Sequence, residues 1–484
     1  MPLHDHYPSL SLHIGGRSLQ GEGRHVLPVI DPATGNTLGE LPLATPADLD
    51  LALDEARRAF AVWRQVTPLE RGRLLQAIGA RIRNHAPALA RIVTLEQGKC
   101  LREALHEIQN TADTFEWMAE EGKRAYGRIV PARLPATDQH VRLEPIGPVA
   151  AFSPWNFPAV LACRKVATAL AAGCPVIIKP AEETPGIMLA IARLCEEAGL
   201  PPGVLNVVYG EPAEISSRLI ASDVIRKVSF TGSVPVGRLL ASQAAQHLKK
   251  ITLELGGHSP VVITGDVDVE QVLRLTLAAK FRNAGQLCLC PTRFFVHESV
   301  YDAFAAGLAE GAAALRVGNG LDDTVQMGPL ANARRRDAMA AFCDDAQGHG
   351  ARLLTGGEAP GEQAAGYFWS PTVLADMPGA ARAMSEEVFG PLALIRPFSD
   401  LDDAMAAANA TDYGLAAYAF TRSLEAAHRL EHGLEAGNVS LNTYAVSAPE
   451  MPFSGVKHSG LGHEMGTEGL YEHMNVKAVV RAVG

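Results

Sequence analysis

The sequence predicts an α/β protein with two large domains, each built on a mostly parallel sheet. Three observations carry that reading. Short apolar runs alternate with amphipathic helical stretches from Gly147 to about residue 440, the pattern that βαβ units leave in a sequence. A glycine pair, Gly256-Gly257, divides the alternation into two series. The chain is 484 residues long, 47% hydrophobic and 20% charged, which gives room for two or three domains with sizeable cores.

Residues 11–45 carry short β-like pieces broken by glycines and by the turn Asp31-Pro-Ala-Thr-Gly35. Amphipathic helices are predicted at Ala47–Gln65, opening after Thr45-Pro46, and at Glu70–His85, Pro87–Gln97 and Leu101–Gly122, where apolar residues recur three and four apart. Arg128–Val141 differs: prolines 131 and 135 punctuate it and β-like runs flank it, so it reads as an extended arm. The first alternating series then places strands at Val149–Phe152, Val176–Lys179, Val204–Val208, Lys227–Thr231 and Ile251–Leu255. Its helices are Ala159–Ala172, Thr184–Ala198, Pro212–Ile220 and Pro235–His247. The second series opens with strand Pro260–Ile263, helix Val267–Arg282, strand Phe294–His297 and helix Ser299–Arg316. The closing β-rich run Val476–Val480 is expected to pair with the arm or with a neighbouring subunit's sheet edge.

Composition excludes several function classes. The net charge is −10 and no basic block is longer than Lys249-Lys250, so neither a nucleic-acid nor an anionic-membrane surface is expected. Seven cysteines without a CxxC pair fit neither a disulfide framework nor a zinc site, so no metal is expected and a reducing compartment fits. Met1–His6 lacks a signal pattern, and Arg164-Lys165, Gly173 and Pro175 break the longest apolar stretches; a cytoplasmic protein is expected.

Five short constellations can carry chemistry. Phe281–Cys290 ends a helical pattern and presents Cys288 and Cys290 beside Arg282, in a polar setting that suits a nucleophile better than core filling. In Ser153-Pro-Trp-Asn-Phe-Pro158 two prolines stiffen Asn156 at a strand end, as an oxyanion-binding amide requires, although a turn-satisfying Asn would look the same. Lys179-Pro-Ala-Glu182 and Phe230-Thr-Gly-Ser-Val-Pro-Val-Gly237 each join a strand to a helix. The first offers a cation and a carboxylate to a ribose diol; the second offers a helix N-terminus to a phosphate. Glu254 closes an apolar strand in Leu253-Glu-Leu-Gly-Gly257, where burial raises a carboxyl toward general-base use. Glu386-Glu-Val-Phe-Gly-Pro391 is a turn with one aromatic.

In this order, and across essentially the whole chain, these stretches resemble the aldehyde dehydrogenase superfamily, and most closely its NAD(P)-dependent semialdehyde dehydrogenases, those for succinate semialdehyde and related ω-carboxy aldehydes. The resemblance implies a Rossmann-type cofactor domain (1–122 and 144–255), an α/β catalytic domain (256–445), and an oligomerisation arm with the C-terminal tail (123–143 and 446–484). It implies Cys288 as nucleophile, Glu254 as base for hydrolysis of a thioester, and Asn156 with the Cys288 main-chain N–H as the oxyanion site. Cofactor contacts carry over to Trp155, Lys179, Glu182, Gly210, Gly232, Ser233, Glu387 and Phe389, and the Glu182 carboxylate would repel a 2′-phosphate, favouring NAD with NADP possible. Arg164, Arg282 and Ser447 stand where relatives acting on carboxylated aldehydes bind the carboxylate, while the apolar Leu161 favours succinate or glutarate semialdehyde over a 2-oxo homologue. A homodimer or homotetramer follows from the same resemblance. In some members a Cys at the position of Cys290 forms a reversible disulfide with the nucleophile. The chain departs from the family at His258, where many members carry Lys, and at Ser454, which replaces a Gly.

Overall fold

A computed structural model describes residues 7–361 and 365–482. The opening Met1–His6 lies outside the described residues, as do residues 362–364 and the last two of the tail.

The first sheet has eight strands in the spatial order Gly460–Leu461, Lys250–Glu254, Lys227–Thr231, Val149–Phe152, Val176–Lys179, Leu205–Val207, Leu12–Ile14 and Arg17–Leu19. Its five central strands are parallel, and antiparallel additions close both edges. Chain order runs outward in one direction from Val149–Phe152, then reverses to Lys227–Thr231 on the other side. The crevice beyond the carboxyl ends of those two strands is therefore the switch point at which open α/β sheets bind ligands. Phe152 is level with both Lys179 and Phe230, so the segments that follow these strands emerge side by side.

The helices around this sheet begin and end where the sequence provides caps. Thr45 and Asp48 form a reciprocal capping box at Pro46–Trp63, and Thr67 with Glu70 does the same at Pro68–Asn84. Val160–Ala172 is buried almost all round and stops at Gly173, whose φ of 92° is open to glycine at little cost. One cluster of buried apolar side chains runs from Leu10 to Leu255 and takes in Met465, Leu470 and Met474, so part of the C-terminal segment packs with the first sheet.

The second sheet has seven strands in the order Arg352–Thr355, Thr372–Ala375, Leu392–Phe398, Pro291–His297, Ser259–Ile263, Ala416–Phe420 and Asn438–Leu441, all parallel except the first. A separate apolar cluster, Val261 to Leu434, lies about it. Gly256-Gly257 is the link between the two sheets. The tail strand Met474–Ala482 pairs antiparallel with Thr137–Pro145, which pairs with Arg128–Val130, so arm and tail form a three-stranded sheet within one chain.

One expectation differs instructively. The predicted helix Val267–Arg282 ends at Lys280, because Asn283, Ala284 and Gly285 have φ of 50°, 51° and 70° and cannot continue a right-handed helix. Among the described residues no helix is long and apolar enough to cross a membrane.

Candidate active site

The left-handed turn after Lys280 carries the nucleophile candidate. Gly285 approaches the facing segment so closely that a Cβ there would lie 2.1 Å from the Gly390 carbonyl oxygen. Asn283 and Gln286 lock the turn. The Gln286 amide donates to Asn283 O at 3.1 Å, while its own oxygen accepts from Ala331 N at 2.9 Å. Cys288 follows, half-buried at a cavity of about 460 Å³. Burial, then the carboxyls of Glu254 and Glu387, push its thiol up to about 12, with the Arg164 cation acting against them.

Asn156 reaches this turn from the first sheet. Its side-chain Nδ2 donates to Gln286 O at 3.1 Å, which orients the amide. Its backbone carbonyl accepts from Asn283 Nδ2 at 3.0 Å. The strand end, the two prolines and the nucleophile turn thus fix one amide against another.

Glu254 ends its strand opposite Thr231 and is 2% exposed, with neither carboxyl oxygen hydrogen-bonded. Burial holds its pKa well above the usual carboxylate range, the Glu464 charge raises it further, and Lys165 and Arg164 pull it back. Sequence reading passed over this second layer. Lys165 and Glu464 form a buried ion pair, and Ser229 Oγ lies 3.3 Å from both the Lys165 ammonium and the Glu464 carboxylate. Lys165 carried a signal, a lysine in a helix where only Arg164 and Thr168 are otherwise polar; Glu464 carried none.

The cavity wall gathers the expected substrate residues. Arg164 and Arg282 both line it, with Leu161 and Ser447. Arg164 Nη2 donates to Ser447 Oγ at 2.8 Å, and its guanidinium lies over the Phe453 ring at 5.2 Å. Arg282 lies over the Phe157 ring at 5.3 Å. Among the described residues neither guanidinium has a carboxylate within ion-pair distance, although Glu103 feels the field of Arg282. Without an ion-pair partner among the described residues, these two half-buried cations leave the cavity wall positively charged. Phe453 lines the cavity; Ser454 does not. His258 is buried beside Tyr413, with its pKa driven well below the usual value by burial.

The cofactor candidates collect at the switch point. Lys179 Nζ is 2.6 Å from Glu182 Oε1, and that same oxygen accepts from Gly210 N at 3.4 Å. Gly232 and the exposed Ser233 lead into helix Val234–Gln246. The hydroxyls of Ser153 and Thr231, at the ends of the two switch-point strands, are buried without a partner. Glu387 Oε1 accepts from Gly257 N at 2.9 Å; burial raises this carboxyl to about 7, against the Gly257 N–H and the Arg335 cation. Phe389, at φ 48°, meets Trp155 edge-on with centroids 5.5 Å apart. A dinucleotide fits this set: orphaned hydroxyls and a helix N-terminus for the phosphates, carboxylates for ribose hydroxyls, aromatic edges for the ring.

All seven cysteines are free thiols. Cys290 is buried and its sulfur accepts from Lys280 Nζ at 3.2 Å. Among the described residues no group of three or more His, Cys, Asp or Glu is placed to hold a metal.

Comparison with known proteins agrees with this geometry. Residues 19–479 match the aldehyde dehydrogenase family. A putative 4-(hydroxymethyl)benzenesulfonate dehydrogenase, TsaD2, of Comamonas testosteroni is 50% identical over 471 residues, covering 97% of this chain and 98% of that one. The succinate-semialdehyde dehydrogenase [NADP(+)] GabD of Escherichia coli K12 is 42% identical over 464 residues, 96% of each chain. The crystal structure of a succinate-semialdehyde dehydrogenase from Burkholderia pseudomallei superposes with a TM-score of 0.96 at 42% identity, covering 99% of this chain and 98% of that one.

The Glu464 layer makes a prediction about pH. Its negative charge raises the Glu254 pKa, and a general base, the role expected of Glu254, acts in its carboxylate form. Glu464→Gln removes that charge and leaves Lys165 to stabilise the Glu254 carboxylate. The ascending limb of the kcat–pH profile is expected to move to lower pH; a limb that moves up, or stays in place, would show that Glu464 does not set this titration.

Proposed function

Because the chain belongs to the aldehyde dehydrogenase family and is an NAD(P)-dependent aldehyde dehydrogenase, we propose that it oxidises an aldehyde bearing an anionic group at its far end, succinate semialdehyde first among them, to the acid. The observation that carries this reading is the pair of guanidinium groups, Arg164 and Arg282, lining the cavity that holds Cys288, with no carboxylate among the described residues within ion-pair distance of either.

In the proposed reaction the Cys288 sulfur attacks the carbonyl carbon, and the thiol proton passes to Glu254, the carboxyl that weighs most on this thiol. The oxyanion is held by the Asn156 amide and the Cys288 main-chain N–H. When bound, NAD(P)+ would supply the acceptor for the hydride that leaves the captured carbon, so that Cys288 is left acylated as a thioester. Trp155, Lys179, Glu182, Gly210, Gly232, Ser233, Glu387 and Phe389 would hold it. Glu254 then releases that proton to solvent and, as carboxylate, takes a proton from the water that attacks the thioester; the Cys288 thiolate is expelled, regains a proton from Glu254, and the acid leaves. Retention of this base, buried yet free of hydrogen bonds, favours hydrolysis over transfer to a thiol such as coenzyme A. The division of labour we propose is a cofactor domain (1–122, 144–255), a catalytic domain (256–445) and an oligomerisation arm with tail (123–143, 446–484).

Arg164 and Ser447 bind the distal carboxylate from one side and Arg282 from the other. Each guanidinium is already flattened on a phenylalanine ring, so little rotamer freedom is lost on binding. A second reading, an aryl aldehyde with a sulfonate or carboxylate opposite the aldehyde, is favoured by the Tyr418 and Tyr444 rings in the cavity wall. The name of the Comamonas relative points the same way.

Three measurements test these statements. kcat/KM for succinate semialdehyde is expected to exceed that for butanal by at least about 30-fold, since removing one partner of a hydrogen-bonded charge pair costs at least about 2 kcal/mol. Arg164→Met or Arg282→Met should abolish most of the difference, and equal values for the two aldehydes in the wild type would refute the anion site. 4-Formylbenzenesulfonate outperforming succinate semialdehyde would decide for the second reading. For the cofactor, Glu182→Ser should shift the NAD/NADP ratio of kcat/KM toward NADP, and an unchanged ratio removes Glu182 from that role. For assembly, the three-stranded sheet exposes Ile129, Val476 and Val480, and Ile129→Asp with Val480→Asp is expected to lower the solution mass measured by light scattering; an unaltered mass would place the subunit contact elsewhere.

A further inference from the structure

We propose that Lys99 is a positioning residue for the oxyanion hole, clamping the backbone from which the Asn156 amide is presented. The proposal rests on the oxyanion role given to Asn156 above.

Lys99 is fully buried, though no step of the reaction uses it. Its ammonium makes three contacts. Nζ donates to Glu107 Oε2 at 2.6 Å and to the Asn156 carbonyl at 2.7 Å, and it lies 3.7 Å from the centroid of the Phe157 ring. The other oxygen of Glu107 accepts from Ala159 N at 2.9 Å and Val160 N at 3.3 Å. One ion pair thus grips residues 156–160 at a carbonyl, at a ring and at the two N–H groups that open a helix. Phe157 carries Arg282 as well, so the ring held by Lys99 also supports the proposed substrate anchor.

The clamp is rigidly mounted. Lys99 follows Gly98, which has φ 91° and leaves only 2.6 Å between its would-be Cβ and Pro329. Gly320 and Gly328 press on the carbonyls of Lys99 and Gly98, where a Cβ would lie 2.4 Å and 2.0 Å away. A buried ion pair is a poor source of stability compared with an apolar pair of the same volume. It does fix geometry, because a charge can be satisfied here only with the Asn156 carbonyl in one place. An oxyanion donor is useful only within a few tenths of an ångström of its ideal position.

The experiment is a double-mutant cycle on the full-length enzyme, pairing Lys99→Met with Asn156→Ala. The readouts are first-turnover NADH formation from succinate semialdehyde, alkylation of Cys288 by iodoacetamide, and the thermal midpoint. Alkylation needs the thiolate but no oxyanion site, so loss of positioning leaves it untouched, whereas a general loosening of the fold slows it. Lys99→Met is expected to slow the first turnover by about 10- to 100-fold, with the alkylation rate unchanged and less than about 2-fold further loss in the Asn156→Ala background. Lys99→Met/Glu107→Gln, which leaves no uncompensated buried charge, should behave alike and serves if the single variant does not fold. A loss of the same factor with or without Asn156, or a parallel fall in alkylation, overturns the role of Lys99 and leaves the oxyanion assignment standing. An Asn156→Ala enzyme with an undiminished first turnover overturns that assignment, and with it the reason for the clamp.

Discussion

Much of the centre depends on one contact between backbones, the approach of Gly285 to Gly390. It forces the segment before Cys288 through three consecutive left-handed residues, two of them with side chains. Each such residue costs on the order of 1–3 kcal/mol, so the turn persists only because its surroundings over-determine it. Asn283 and Gln286 hydrogen-bond each other's segments, Asn156 bonds both, and Gln286 is tied to Ala331 in the second sheet's cluster of loops. The result is that Asn156, from a loop of the first sheet, and the turn two residues before Cys288 form a single hydrogen-bonded unit. Catalytic geometry shared between two cores then becomes a local matter rather than one of distant packing.

The second constraint is electrostatic. The site gathers the buried Glu254, Glu464, Lys165 and Lys99 with the half-buried Glu387. Paired groups hold position; unpaired ones are tuned. Glu254 has no hydrogen bond to stabilise its charge and a carboxylate behind it, so its proton is retained far longer than that of an exposed glutamate. Cys288, likewise raised, stays a thiol at rest. The reacting groups therefore favour their neutral forms while Arg164 and Arg282 leave the cavity wall cationic, the combination that the proposed anion-bearing aldehyde calls for.

The sheets were legible in the sequence because buried parallel strands are short and apolar and the helices between them are amphipathic, two periods that do not resemble each other. Helix ends were legible to within a residue or two where Thr-Pro openings and closing glycines mark them. The exception, the overrun to Arg282, has a physical cause: nothing in Asn283-Ala284 announces a left-handed backbone, which is imposed by Gly390 from more than a hundred positions away. The same distance separates what was legible in the site from what was not. Cys288, Asn156 and Glu254 sit in short stretches whose neighbours betray their setting. Lys99 meets Asn156 across 57 positions and Lys165 meets Glu464 across 299, and no local pattern records either contact.

These buried pairs also bear on substrate selection. A cavity of this volume does not by itself distinguish a four-carbon chain from a benzene ring, since apolar walls discriminate weakly, by about 1–3 kcal/mol per group. Distance does. The guanidinium groups are stacked on rings that are themselves fixed, Phe157 by the Lys99 ammonium and by the tethered backbone on either side of it. An anchor that cannot travel sets the span between anion and sulfur, and a substrate bridges that span either by its own length or by leaving part of its binding energy unused. On the proposed anion site, selectivity between short and aryl aldehydes is accordingly a question of how far the two arginines can move, and the clamp proposed beneath Phe157 limits how far Arg282 can do so.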